Sequence, residues 1–199
     1  AILLTNTICS SGMKQIILNH VQKCGLPTAV IDQDIPGCYY IGIDNYTAMH
    51  DIVTHVIEVH GARRINYISG PMNNPESLLR LQAYRDVLSE HQIPVEEERI
   101  YYGLFRGQDG REAAEAFLSS NLEFPEAIVS ANDNMALSAL ITLESKGIHC
   151  PQDVIITGFD NIRSARNCTP ELTSVSRPLV ESGRRACEMV YNHIRGNGE

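Results

Sequence analysis

Short apolar runs alternate with longer amphipathic stretches along almost the whole chain of 199 residues. Each run is short enough for a strand, and each longer stretch repeats its apolar residues at the helical period. Strands separated by helices cannot be joined as hairpins, so the alternation predicts βαβ units with parallel strands and an α/β fold. The predicted strands cover residues 1–5, 28–32, 40–44, 64–69, 99–103, 126–130, 153–159 and 172–176.

The helices predicted between these strands account for most of the remaining chain. Gly147 is expected to end one of them in the left-handed conformation, and Pro178 suits the first turn of the last one. The predicted helices cover residues 11–24, 45–60, 75–91, 109–120, 133–146, 161–166 and 178–195.

Composition and charge exclude several classes of protein. A hydrophobic fraction of 43% with 20% charged residues is typical of a globular chain, in one large domain or two small ones. No apolar run approaches the roughly 18–20 residues that span a bilayer, so no membrane association is expected. The net charge of −8, without clustered Lys and Arg, indicates that this segment by itself does not bind nucleic acid.

The six cysteines favour a cytoplasmic protein. They include no CxxC pair and no Cys/His grouping with zinc spacing, so reduced thiols are the simpler interpretation than a disulfide framework. His50, His55 and His60 recur every five residues, which spreads them around a helix. We therefore expect no metal site.

Catalytic motifs are absent from the sequence. It contains no GxSxG elbow, HExxH pair, Walker A loop or strand-to-helix GxGxxG. No histidine is paired by motif with a nucleophile. The prediction is a protein that is not an enzyme, with no cofactor and no catalytic residues.

Polar residues instead follow most of the predicted strands. Because parallel strands end at one edge of a sheet, these side chains would converge there, where α/β folds bind ligands. Asp and Asn are also preferred helix N-caps, which is the better explanation for any one of them alone but not for the whole set. The set comprises Thr5, Asn6, Asp32, Asp44, Ser69, Ser130, Asn132, Asp133, Asp160, Asn161, Ser176 and Arg177.

Four segments together resemble the LacI/GalR family of bacterial transcription regulators. The stretch "AIVSANDNMALSALITLESKGIHCPQDVIITGFDN" matches the family pattern NDxMAxGA…GxxxPxDVxxxGFD, and "CTPELTSV" follows it. Upstream, "GARRINYISGP" and "LLRLQAYRDVL" are similar to two further family motifs. The four segments occur in the family's order with compatible spacing.

The resemblance implies a periplasmic-binding-protein-like fold of two Rossmann-like lobes with parallel sheets. The first lobe would comprise residues 1–43 plus 177–199 and would be incomplete, and the second would comprise residues 44–176. The family's helix-turn-helix headpiece has no counterpart in this sequence, so operator DNA would be contacted only through that missing part.

The resemblance also implies an effector cleft between the lobes. Carboxylates, amides and a guanidinium suit sugar hydroxyls, and a phenyl face suits the apolar side of a pyranose. Arg177 departs from the smaller polar residues usual at its position, so an anionic effector such as a sugar phosphate stays open. A purine-like effector is a further alternative, and Asp133 is interpreted as a helix start. The ligand-binding residues implied are Asp32, Arg80, Phe105, Asn132, Asp160 and Arg177.

The predicted function is effector sensing in a bacterial transcription regulator. A small sugar-like molecule would bind in the cleft and switch the conformation of a homodimer. One alternative attaches the same sensor fold to a signalling output, a kinase or a cyclase. Another is a periplasmic sugar-binding protein of a transporter.

Overall fold

The computed structural model describes residues 2–4, 11–32 and 34–196. Within this part the chain divides into two compact units, one of residues up to Ile43 with those from Pro178 onward, the other Asp44–Arg177. Arg177, which the resemblance assigned to the first lobe, lies in the second unit. Thr5 and Asn6 of the predicted polar set lie outside the described residues.

The first unit is a three-stranded parallel sheet with two helices. Strands β1 (Ile2–Leu4), β2 (Ala29–Ile31) and β3 (Tyr39–Ile41) are neighbours in that order. The helices are α1 (Ser11–Cys24) and α7 (Leu179–Ile194). Helix α7 is amphipathic, and its Ala186 is buried in one cluster with Ala29, Ile31 and Ile41.

The second unit is a five-stranded, wholly parallel sheet. Its strands are β4 (Ile65–Ser69), β5 (Ile100–Tyr102), β6 (Ala127–Ser130), β7 (Ile155–Asp160) and β8 (Thr173–Ser176), in the spatial order β5-β4-β6-β7-β8. Every residue of β4 and β6 is buried. Burial on both faces explains why neither segment alternates apolar with charged residues, although β4 includes the buried Asn66 and both strands end in a buried serine.

The helices of the second unit form two packed pairs. They are α2 (Asn45–Glu58), α3 (Pro75–Glu90), α4 (Gly107–Ser119), α5 (Asp133–Ser145) and the short α6 (Arg163–Asn167), with a 3₁₀ turn at Glu97–Arg99. Helix α2 packs on α3, and α4 packs on α5. Helix α3 connects β4 to β5 towards one side of the sheet, whereas α4 and α5 connect their strands towards the other side. Because such crossovers are right-handed, the α2–α3 pair and the α4–α5 pair cover opposite faces of the sheet.

Capping residues determine where the predicted helices begin and end. Helix α4 begins at Gly107, two residues before its predicted start, because the Asp109 carboxylate accepts from the backbone N–H of Arg106 at 2.9 Å. Gly147 has a φ of +79° and follows α5, which confirms the predicted helix end. The strand–helix order inferred from the alternation is confirmed throughout the described residues.

No helix in the described ranges is long and apolar enough to cross a membrane.

Candidate functional site

The carboxyl ends of β4 and β6 meet at the point where the sheet connections reverse direction. The crossover that leaves β4 leads to β5 on one side, whereas the crossover that leaves β6 leads to β7 on the other. In open α/β sheets this reversal opens a crevice beyond the strand ends, where ligands bind. Gly70 and Ala131, which follow these two strands, therefore mark the edge that the fold favours for a ligand.

Arg80 lies at the centre of this edge, although it belongs to helix α3. Its side chain is 2% exposed. Its Nε donates to Oδ1 of Asn45 at 2.8 Å, and its Nη1 donates to the carbonyl of Ala131 at 2.6 Å. Its Nη2 lies 3.5 Å from Oε2 of Glu76. One side chain thus joins the starts of α2 and α3 to the loop after β6.

Phe159 of strand β7 supports the Arg80 guanidinium. The Cζ atom of Arg80 lies 3.7 Å from the centroid of the Phe159 ring, a close cation–π contact. Burial lowers the pKa of Arg80, and the charges of Asp160 and Glu76 oppose that shift. Because arginine stays protonated in proteins, the edge holds a permanent buried positive charge. The predicted ligand donor is therefore already engaged by protein groups.

Asp160 and Arg177 form an ion pair at the ends of neighbouring strands. Asp160 ends β7, Arg177 follows β8, and Arg177 Nη1 lies 3.5 Å from Asp160 Oδ1. Their side chains are 24% and 12% exposed, respectively, so both reach the solvent side of the edge. The Arg80–Glu76 and Arg177–Asp160 pairs thus each balance one positive charge with one negative charge.

The backbone is strained at three of the six predicted ligand residues. Their φ values lie in the left-handed region, at +69° for Asp32, +64° for Phe105 and +109° for Asp160. Aspartate tolerates this region, but a bulky phenylalanine is an outlier there. Such conformations cost about 1–3 kcal/mol each and cluster at ligand sites.

Asn132 holds Phe105 in its strained conformation. The Nδ2 of Asn132 donates to the carbonyl of Phe105 at 3.0 Å, and its Oδ1 accepts from the N–H of Met135 as the N-cap of α5. The Phe105 ring lies against Gly70, where an added Cβ would come within 2.3 Å of the ring. Both polar atoms of Asn132 are thus engaged within the protein, and it acts as a cap and as support for the aromatic residue.

Asp133 fixes the loop that follows Asp160. It is fully buried; its Oδ1 accepts from the Ser174 hydroxyl at 2.6 Å and its Oδ2 from the N–H of Ile162 at 2.7 Å. Burial raises the pKa of Asp133, against the effect of these hydrogen bonds. A Cβ at Gly158 would lie 2.2 Å from Asp133 Oδ1, so this strand position needs glycine. Asp133 starts α5, as predicted, and also joins α5 to β8.

Asp32, the sixth predicted ligand residue, lies in the first unit at the end of β2. It is half-buried, and its backbone N–H donates to the carbonyl of Ile41 at 2.8 Å. The other five predicted residues, by contrast, gather on the carboxyl edge of the second unit. A ligand contact for Asp32 stays a prediction.

Three residues of the edge were absent from the sequence-based set. Asn45 and Glu76 accept from Arg80, and Phe159 stacks on it. Glu76 had a detectable signal, because its i,i+4 spacing to Arg80 predicts an ion pair on one helix face. Among the described residues, no group of three or more His, Cys, Asp and Glu side chains is arranged to hold a metal ion.

Comparison with known proteins connects this architecture to a family. A family model described as a periplasmic binding protein-like domain matches residues 53–199. The chain is 35% identical over 156 residues to the HTH-type transcriptional repressor CytR of Escherichia coli, a match that covers 78% of this chain and 45% of CytR. The chain therefore spans about half the length of the curated relatives it matches.

Solved structures give the same result for the fold. A regulatory protein of the LacI family from Chloroflexus aggregans superposes with a TM-score of 0.85 at 25% identity, covering 100% of this chain and 69% of that one. The transcriptional regulator CelR in complex with cellobiose superposes with a TM-score of 0.84 at 27% identity, covering 100% of this chain and 60% of that one. Both likenesses support the predicted periplasmic-binding-protein-like architecture.

Proposed function

The chain belongs to the periplasmic binding protein-like domain family, and from this membership we propose that it is the effector-sensing region of a bacterial transcription regulator. In this proposal a small molecule binds at the carboxyl edge of the second unit and shifts the population between two conformations. Contacts with operator DNA belong to a headpiece outside this sequence. The similarity to a transcriptional repressor favours this output over a kinase, a cyclase or a transporter.

One observation carries the proposal. Five of the six predicted ligand residues come from separate segments, yet they lie around the switch point of one sheet, with Arg80 at their centre. Two of them, Phe105 and Asp160, have a backbone in the left-handed region, a conformation that clusters at ligand sites.

The charge balance of the edge favours an uncharged, hydroxyl-rich effector, such as a sugar. Asp160 can accept from ligand hydroxyls, Arg177 can donate to them, and the Phe105 ring offers an apolar face. Arg80 and Arg177 are each paired with a carboxylate, so a neutral ligand can bind without leaving a charge unbalanced. A sugar phosphate would instead have to draw Arg177 away from Asp160. A purine is the third class to be tested.

A ligand screen tests this function. We would measure the thermal unfolding midpoint with neutral mono- and disaccharides, sugar phosphates and purines, and then determine Kd by calorimetry for each hit. The substitutions Asp160→Asn and Arg177→Gln should each weaken binding of a sugar about tenfold or more, since a hydrogen bond to a charged group contributes about 1.5–3 kcal/mol.

Matched controls use exposed residues of the same types. Asp51→Asn on α2 and Arg111→Gln on α4 remove the same charges at exposed positions and should leave Kd unchanged. If a hit stabilises the wild type and both edge variants equally, the assignment of the site is wrong. If phosphorylated ligands bind more tightly than neutral ones, the inference from charge balance is wrong.

The oligomeric state, the cellular compartment and the absence of catalysis are inferred from family resemblance. We infer a homodimer in the cytoplasm that performs no catalysis on its effector. Light scattering on the purified chain gives its oligomeric state. Recovery of unchanged ligand after prolonged incubation tests for the absence of turnover.

A further inference from the structure

A cavity lies at the opposite edge of the second unit's sheet, where β7 and β8 begin. Its volume is about 360 Å³, within the roughly 300–1,000 Å³ range of small-molecule sites. Ile155, the first residue of β7, and Thr173, the first residue of β8, both line it, together with Leu140 of α5. The cavity is therefore separated from the candidate effector site by the length of these strands.

The inner wall of the cavity is apolar. Leu140, Cys150, Ile156 and Leu172 form it, and each of them is exposed by 6% or less. Burial raises the pKa of the Cys150 thiol to about 11, so the sulfur stays protonated at neutral pH and behaves as a small apolar group. This wall suits a compact hydrocarbon or aromatic body held without a covalent bond.

The mouth of the cavity is polar and carries a negative charge. His60, Glu171 and Thr173 line it and are exposed. Among the described residues that line the cavity, Glu171 is the one acid and there is no lysine or arginine. The net charge of −8 adds a weak attraction for cations over the whole surface.

We propose that this cavity is a second ligand site, which binds a small amphipathic amine with its apolar body against Leu140, Ile156 and Leu172 and its ammonium group near Glu171. The apolar wall supplies most of the affinity, and the carboxylate supplies the preference for a cation. The site does not depend on the proposed effector function, because it shares no residue with the carboxyl edge.

Three probes of one shape and different charge test the proposal. We would titrate 2-phenylethylamine, 2-phenylethanol and phenylacetate into the full chain labelled at its Ile and Leu methyl groups, and follow methyl NMR shifts. The amine should shift the methyl signals of Leu140, Ile156 and Leu172. It should bind about two- to fivefold more tightly than the alcohol, the range expected for a partly exposed charge pair, and phenylacetate should bind most weakly.

Two variants separate the charge from the cavity. Glu171→Gln should remove the difference between amine and alcohol, whereas Glu115→Gln, an exposed acid on α4, should preserve it. Thr173→Trp adds bulk at an exposed lining position and should abolish the shifts for all three probes, while its methyl spectrum reports whether it is folded. Absence of shifts at the three wall residues overturns the site. Equal affinity of the three probes, or an unchanged preference in Glu171→Gln, overturns the ligand class.

Discussion

Replacement of Arg80 by alanine is the most direct test of how the carboxyl edge of the second unit is held together. The substitution leaves Oδ1 of Asn45, the carbonyl of Ala131 and the carboxylate of Glu76 without their shared donor, and it removes the contact with Phe159. Each lost hydrogen bond to a charged group costs about 1.5–3 kcal/mol. Water that enters the vacated space recovers part of this loss.

We therefore expect Arg80→Ala to lower the free energy of unfolding by about 3–5 kcal/mol, the usual cost of breaking a buried ion pair. At about 2–4 °C per kcal/mol for a chain of this size, the melting temperature should fall by roughly 6–20 °C. Arg80→Lys keeps the charge but loses the planar fork that reaches three acceptors, so its loss should be smaller.

Arg85 provides a matched control on the same helix. It is 35% exposed and pairs with Glu97, so Arg85→Ala removes a surface ion pair with the same change in helix propensity. Its cost should be about 0–1 kcal/mol. The measurement is urea unfolding of both variants followed by circular dichroism. Equal losses for Arg80→Ala and Arg85→Ala would refute the role of Arg80 as the link between three segments.

Two further predictions concern glycine packing and pH. Gly110→Ala should destabilise the protein by about 1–3 kcal/mol, because the new Cβ would lie 2.0 Å from the backbone oxygen of Met135. Gly183→Ala has nothing within 4 Å of the new Cβ and should stabilise α7 by up to about 1 kcal/mol. Urea unfolding measures both variants, and a loss of stability in both would contradict the packing explanation. The pKa of His91 is raised, chiefly by the hydrogen bond to the backbone carbonyl of Val87 and also by Glu58. The stability that this shift contributes is fully present below the pKa of the unfolded state, near 6.5, and is lost as the pH rises through the pKa of the folded state. The difference in unfolding midpoint between wild type and Glu58→Gln should therefore shrink from pH 6 to about pH 8.5, and a constant difference would show that the ion pair contributes nothing.

The sequence was sufficient for the fold because hydrophobic periodicity is a local property. The mostly apolar segments of β4 and β6 contain no charged residue and predict buried parallel strands without any knowledge of their partners. Helix ends were less well predicted, since side chains outside the periodic stretch determine them. Asp109 moved the start of α4 in this way.

The site was only partly predictable, because polar residues at strand ends have two roles that look alike in sequence. The sequence placed Asn132 among the ligand residues and Asp133 at the helix start. The structure confirms that Asp133 starts α5 and shows in addition that it is a buried link to β8, whereas Asn132 caps the helix and its ligand contact stays a prediction. The contact of Asn45 with Arg80 is not predicted, because an asparagine next to Asp44 has the pattern of a helix start. Its bond to Arg80 depends on the packing of α2 on α3, which local pattern does not encode.

The wholly parallel sheet also has a consequence for how the second unit folds. Every strand pair in it joins segments separated by a crossover, so no hairpin can nucleate the sheet, and long loops must close before any ladder forms. Asn45 and Arg177 stand near opposite ends of this unit's sequence, yet both belong to the edge built around Arg80. During synthesis the edge is therefore incomplete until the last strand has left the ribosome, and under the proposed function the nascent chain could bind an effector only after the whole unit has folded.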